Sequence, residues 1–314
     1  MSRYITVDMG TTNTRISLIS SGVIVYTSKY KVGISNVKND PTILSRTLRE
    51  GLGEVLEKFE DIECIISCGM ITSELGLCNL PHLSVPCGIK ELAAGLHTTT
   101  FPEICDLPFV FITGVKSHGK DFEDTDVMRG EETELFGLSK TIESNCLYVL
   151  PGSHSKLIYT DDSGRICRFS TELTGELMSA VSANTILNQS INLATDLETD
   201  YDFLKKGYLY AKEHGLNAAF FKVRILANFF SGTKDQLCSF FKGVVLCDEI
   251  ENIINSKAKK VVIGGKAQLR DPMCYLIKEY GNVEVVSVPD DVSDVATAIG
   301  MVKIYEYAKK EGSL

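Results

Sequence analysis

The sequence predicts an α/β protein with two lobes. Strand-like and helix-like segments alternate along the chain, and a similar pattern begins again near residue 145. No low-complexity segment and no Pro/Ser-rich linker separates the halves, so they are expected to pack against each other along a cleft. At 314 residues the chain should bury about 75% of its unfolded surface, enough for two cores.

The first 32 residues read as a β-meander. Strands are expected at Tyr4–Asp8, Thr14–Ile19 and Val23–Lys31, the last after a Ser20-Ser21-Gly22 turn. Asn39-Asp40-Pro41 supplies a cap candidate and a first-turn proline for a helix. Ile43, Leu44, Leu48, Leu52, Val55, Leu56 and Phe59 keep its period. A buried-type strand follows at Glu63–Gly69, a helix at Lys90–His97, a strand at Phe109–Thr113 and a helix at Glu131–Lys140. In the second half, Leu147–Leu150 is strand-like, and Lys156–Thr160 with Arg165–Leu173 suggests a hairpin across Asp161-Asp162-Ser163-Gly164. Helices dominate from Gly175 to about Lys257. A strand at Lys260–Ile263, a helix at Gln268–Tyr280 and a strand at Val283–Val288 precede a last helix that Asp290 and Asp291 can cap. The lobes are placed at 1–140 and 141–314, with the helix from about 291 packing back on the first lobe.

Composition removes several classes of function. Lys plus Arg number 32 against 41 Asp plus Glu, a net charge of −9, with 44% apolar and 23% charged residues. That is ordinary globular usage and lacks the cationic balance of a non-specific nucleic-acid binder. No apolar run approaches the ~20 residues of a membrane span, and no signal-peptide core stands near residue 1. The ten cysteines are scattered without a Cys-x-x-Cys pair. Buried, reduced thiols in a cytoplasmic protein are the expectation.

The stretch Val7-Asp8-Met9-Gly10-Thr11-Thr12-Asn13-Thr14-Arg15 lies between two strands. Its small side chains, hydroxyls and backbone N–H groups suit phosphate oxygens. Asp8 can hold a hydrated Mg2+, and Arg15 offers a fixed cationic fork for a carboxylate or phosphate. The plain alternative is a polar hairpin turn. No Gly-x-x-x-x-Gly-Lys-Ser/Thr loop occurs.

This strand–Asp-x-Gly-Thr–strand start resembles the first phosphate segment of the superfamily of sugar kinases, hexokinases, heat-shock ATPases and actin. The resemblance implies two ribonuclease-H-like lobes, each a mixed sheet flanked by helices, with ATP and Mg2+ in a cleft between them. It also implies a second phosphate hairpin, matched by Leu147-Tyr-Val-Leu-Pro-Gly152-Ser153-His154-Ser-Lys156, and a late adenosine segment, matched by Val261-Val-Ile-Gly264-Gly265. Leu150-Pro151-Gly152 departs from the common second Asp-x-Gly, so metal handling is expected to rest on Asp8.

Val127-Met-Arg129-Gly-Glu131-Glu132-Thr-Glu-Leu-Phe-Gly137, Pro151-Gly-Ser-His-Ser-Lys156, Leu173-Thr-Gly-Glu176-Leu177 and Cys68-Gly69-Met70-Ile-Thr-Ser73 narrow the likeness. Together they resemble the 2-dehydro-3-deoxygalactonokinase family, from residue 3 to about 305. These kinases phosphorylate 2-keto-3-deoxygalactonate with ATP in galactonate catabolism.

The resemblance places a catalytic carboxylate just before the last helix of the first lobe. The chain has no Asp there, so a Glu is implied. Position favours Glu132, with Glu131 close behind, one acting and one capping. Arg129 beside them is a candidate catalytic cation. Gly10, Thr11, Thr12, Asn13, Gly152, Ser153, Lys156, Gly264 and Gly265 are nucleotide candidates. Arg15, Gly69, Met70, His118, His154 and Glu176 are substrate candidates. Each has a bland counterpart: Met70 as plain core, His154 as a structural turn residue, Glu176 beside a capping Thr174.

Two other functions remain in play: a kinase for another keto-deoxy sugar acid, and a non-catalytic ATP-binding sensor or switch. The partner expected is a small keto sugar acid. A homodimer fits soluble sugar kinases, although no exposed apolar stripe can be named. A chain at −9 must attract such anions through a few residues in one place rather than through its overall field.

Overall fold

The computed structural model describes residues 2–117, 119–139, 141–193 and 198–312. The chain divides into two compact units. Unit 1 comprises Met1–Ser144, Thr160–Phe169 and Asp291–Leu314, and unit 2 comprises Asn145–Tyr159 and Ser170–Asp290.

Unit 1 opens with the meander β1 (Arg3–Met9), β2 (Thr14–Ser20) and β3 (Val23–Tyr30). The short α1 (Ile34–Val37) and the longer α2 (Ile43–Leu56) follow. Leu44, Leu48, Leu52 and Val55 recur at helical spacing and are buried on one face of α2. The expected start at Asp40-Pro41 shifts inward. The Asp40 carboxylate accepts from the N–H and hydroxyl of Thr42 at 3.0 and 2.7 Å, so it shapes the turn before the helix. Next come β4 (Cys64–Gly69), β5 (Leu83–Ser84), α3 (Ile89–Ala94), β6 (His97–Phe101), β7 (Cys105–Phe111), β8 (Val115–Lys116), β9 (Val127–Met128) and α4 (Glu131–Leu138). The helix expected over Lys90–His97 is therefore shorter, because the β-branched run Thr98-Thr99-Thr100 favours a strand.

Unit 2 begins with β10 (Leu147–Leu150) and β11 (Ser155–Thr160), and β12 (Ile166–Glu172) passes from unit 1 into unit 2 after residue 169. Then come α5 (Thr174–Asn184), α6 (Tyr201–His214), α7 (Leu216–Phe229), α8 (Lys234–Asn255), β13 (Lys260–Ile263), α9 (Ala267–Tyr280) and β14 (Glu284–Ser287). The expected last helix is two pieces, α10 (Asp290–Ser293) and α11 (Ala296–Glu311). Asp290 pairs with Arg270, and α11 belongs to unit 1.

The large sheets share a plan. One runs β3-β2-β1-β4-β7-β6 and the other β12-β11-β10-β13-β14. In each, the first strand pairs antiparallel with its hairpin partner and parallel with the strand that follows the helical crossover. The weak repeat in the sequence is thus a repeat of topology. A small sheet, β5-β8-β9, completes the strands. Each unit has its own apolar core, one around Ile5, Leu18, Leu48 and Phe109, the other around Val149, Tyr208, Phe241 and Ile277.

Glycine sets the contact between α4 and α11. A Cβ on Gly137 would fall on the Ala296 carbonyl, and one on Gly300 would fall on the Thr133 carbonyl. The helices therefore touch backbone to backbone. Gly300→Ala should destabilise the protein by at least about 2 kcal/mol, because rigid backbone has to yield. Gly53→Ala in α2, where no atom lies within 4 Å of the new Cβ, should stabilise by about 0.5–1 kcal/mol. Thermal melts of both variants check the contrast.

Candidate active site

The functional residues of unit 1 gather where β1 ends and α4 begins. The turn after β1 is closed by the Gly10 N–H donating to the Asn13 carbonyl at 2.8 Å. It is braced from behind, where the N–H groups of Ile34 and Ser35 donate to the carbonyls of Gly10 and Thr11 at 3.2 and 3.0 Å. Gly33 permits this approach, since a Cβ there would collide with the Thr11 peptide. On the outer side Thr11 and Thr12 are exposed. The nearest atom to a Cβ on Gly10 would be 3.7 Å away, so this turn is open.

Asp8 stands at the end of β1, half-buried, and no described residue donates a hydrogen bond to it. Burial raises its carboxyl above the ordinary value, Arg15 opposes the rise, and Glu131 adds to it. Arg15 is the cross-strand neighbour of Asp8. Its Nη1 donates to the Asp294 carbonyl at 3.0 Å. Arg15, a substrate candidate from the sequence, is partly exposed, and its charge acts on Asp8.

The start of α4 depends on two glycines. Gly130 has φ +119° and Gly69 has φ +83°, backbone that side chains disfavour. A Cβ on Gly130 would lie 3.4 Å from the Gly69 Cα, and one on Gly69 would strike the Met9 carbonyl. Gly69 thus serves backbone packing between β1 and β4. Met70 packs against the unit 1 core, the plainer of its two expected roles.

The two adjacent glutamates part ways. Glu132 is 0% exposed, and both carboxylate oxygens accept from the Gly130 N–H at 2.9 Å. Burial, then Glu131, pushes its carboxyl up to about 7. Glu131 is half-exposed and accepts from the Arg129 N–H at 2.9 Å. Both glutamates accept backbone N–H groups at the start of α4, and of the two Glu131 is the more exposed. One turn on stands Glu134, which the sequence reading passed over. Burial pushes it up to about 8, with Glu131 and Asp8 raising it and Arg15 opposing. Spacing i,i+3 from Glu131 was the available signal.

Arg129 is likewise corrected. Its Nη1 donates to the carbonyl and hydroxyl of Thr72, both at 2.6 Å. Its Nη2 donates to the Leu80 carbonyl at 3.1 Å and stands 3.3 Å from His82 Nδ1. Burial and the Arg129 charge lower His82 to about 4, so the imidazole is neutral and Nδ1 can accept. The guanidinium pins the loop after β4 to the start of α4. His118 lies outside the described residues.

Unit 2 brings together three turns. The Gly175 and Glu176 N–H groups donate to the Gly152 and Ser153 carbonyls at 3.1 and 3.0 Å. A Cβ on Gly175 would strike the Gly152 carbonyl, and one on Gly265, at φ +74°, would lie 2.9 Å from the Pro151 carbonyl oxygen. The Gly264 N–H donates to Val149 at 2.9 Å. His154 and Glu176, both singled out from sequence, meet at 2.6 Å between Nε2 and Oε2. Gly152 faces open space, with nothing nearer than 4.0 Å to an added Cβ, and Ser153 is exposed. Lys156 departs from expectation. Its strand turns it inward, where it is 5% exposed and donates to Thr171 Oγ1 at 2.6 Å.

In unit 1 the Gly10–Asn13 turn is open, and in unit 2 the Gly152–Ser153 turn is open. Among the described residues no group of three or more His, Cys, Asp or Glu could hold a metal ion, and no helix is long and apolar enough to cross a membrane. All ten cysteines are free.

Residues 8–304 match the model of the 2-keto-3-deoxy-galactonokinase family, and the chain belongs to that family. It is 27% identical over 261 residues, 80% of each chain, to the 2-dehydro-3-deoxygalactonokinase of Escherichia coli K12. Its fold is that of a Sinorhizobium meliloti structure provisionally described as a 2-dehydro-3-deoxygalactonokinase, at TM-score 0.78 and 22% identity over 97% of this chain and 98% of the other. A xylulose kinase from Lactobacillus acidophilus shares the fold more distantly, at TM-score 0.55 and 12% identity over 99% and 90% of the two chains.

The Glu132 geometry has a consequence for pH. An acid raised on folding contributes stability that is fully present below its unfolded pKa of about 4.3. That stability is lost as pH rises through about 7. Glu132→Gln removes this dependence. Melting temperatures of the variant relative to wild type should therefore improve between pH 6 and pH 8.5.

Proposed function

We propose that the chain is an ATP-dependent kinase that phosphorylates the 6-hydroxyl of 2-keto-3-deoxygalactonate in galactonate catabolism, acting in the cytoplasm. Membership of the 2-keto-3-deoxy-galactonokinase family supports the reaction and the substrate. The observation that carries the mechanism is the half-exposed Glu131 carboxylate, fixed by the Arg129 N–H at 2.9 Å and placed at the start of α4, where it acts on Asp8.

Glu131 is the base. It is held at the start of α4 by the Arg129 N–H. As the 6-hydroxyl oxygen attacks the γ-phosphorus in line, Glu131 takes its proton and ADP leaves. Glu132 and Arg129 act as positioning residues, the first closing the Gly130 turn and the second fixing the Thr72 loop. Asp8 would hold hydrated Mg2+, which supplies positive charge against the phosphates. The turn at Gly10–Asn13 offers N–H groups and hydroxyls to phosphate oxygens. In unit 2, Gly152 and Ser153 do the same, and Gly264-Gly265 takes the adenosine end. The His154–Glu176 pair presents one polar group to a hydroxyl of either substrate.

Purified protein given ATP, Mg2+ and 2-keto-3-deoxygalactonate should release ADP only when the sugar acid is present. Glu131→Gln should lower kcat by about 10²–10⁴-fold with little change in KM for ATP, and Glu132→Gln by less than about 10-fold. The opposite order would return the base to Glu132. ATP binding without acceptor-stimulated turnover would make the chain a sensor, and faster turnover of another keto-deoxy sugar acid would change the substrate.

A further inference from the structure

Glu249 lies in the middle of α8, far in sequence from every motif above. It is 2% exposed. Its Oε2 accepts from the Thr174 hydroxyl at 2.5 Å. Its Oε1 is buried without a hydrogen-bond partner, and the Ser155 hydroxyl also acts on the carboxyl. Thr174 is the first residue of α5, and Ser155 is the first residue of β11. Between them runs the paired backbone that joins Gly152 to Gly175 and Ser153 to Glu176. The Ser155 hydroxyl in turn accepts from the Gly152 N–H at 3.4 Å. One buried carboxyl therefore stands behind both sides of the turn assigned to phosphate.

We propose that Glu249 is a positioning residue for nucleotide binding, a buried post on α8 that fixes the start of α5 and the Gly152–His154 turn. This rests on the reading of that turn as a phosphate site. A buried acid with few donors is cheap only when it is uncharged. Burial pushes Glu249 up to about 7, Glu172 on β12 is the charged group acting on it and adds to the rise, and the hydroxyls of Thr174 and Ser155 oppose it. Among the described residues no cation is seen to offset its ionisation. Above neutral pH the carboxylate forms inside an apolar region, and water or chain movement must supply donors. The turn then loosens.

The test is binding of a fluorescent ADP analogue with Mg2+, followed by anisotropy from pH 6 to 8.5, in wild type, Glu249→Gln, Glu249→Leu and Thr174→Val. Wild-type affinity should fall with pH relative to Glu249→Gln by about 2- to 10-fold, the worth of one net hydrogen bond. Glu249→Gln keeps a neutral acceptor for Thr174, so its affinity should match wild type at pH 6 and not share the fall. Glu249→Leu and Thr174→Val should bind more weakly at every pH, and Thr174→Val serves if the leucine variant does not fold. Wild type that binds but cannot be told from all three variants overturns the role of Glu249 alone. Wild type that binds no Mg·ADP at any pH overturns the phosphate assignment together with it.

Discussion

Close backbone contact at glycine holds the chemistry of unit 1 in place. Helix α4 has only eight residues and a weak claim to form alone. It is fixed at its start by the approach of Gly130 to Gly69 and along its length by Gly137 and Gly300 against α11. A side chain at Gly137 or Gly300 would push α4 and α11 apart. The acidic residues supply the chemistry, but hydrogen atoms in place of side chains set the distances between them.

Charge follows from that crowding. Asp8, Glu131 and Glu134 act on one another, with Arg15 as the cation that opposes them. In a protein at −9 such a group is costly until positive charge arrives, which suits a site that meets its substrate as a metal complex. The arginines singled out from the sequence as anion clamps each make hydrogen bonds within the protein. Arg129 bonds Thr72 and Leu80, and Arg15 bonds the Asp294 carbonyl.

Most of the architecture was legible in the sequence because it rests on local patterns. The meander, the α2 stripe and the late strand–Gly-Gly–helix unit all have a period or a turn that a linear reading catches. The motif residues Asp8, Glu131, Gly152 and Gly265 stood out for the same reason, since they sit at the ends of strands, at turns or at a helix start. What escaped depends on direction rather than position. Adjacent Glu131 and Glu132 are equivalent in a string, yet helix geometry turns one to solvent and buries the other. Lys156 follows a turn, but the alternation of a strand sends it inward. Glu134 and Glu249 carry no motif and gain meaning only from their neighbours in space. Even the helix break before α11 has a spatial cause, the capture of Asp290 by Arg270.

The contact of α4 with α11 also bears on how the protein is made. Unit 1 is discontinuous, and α11 leaves the ribosome about 160 residues after α4. At roughly 5–20 residues per second this is a delay on the order of 8–32 s. During it the glycine-lined face of α4 has no partner, while all of unit 2 is synthesised. Unit 2, nearly contiguous, can collapse first, and the acidic cluster is assembled last. A nascent chain stalled or clipped before α11 would thus carry a finished unit 2 and an unfinished unit 1, a state for chaperones and proteases to recognise.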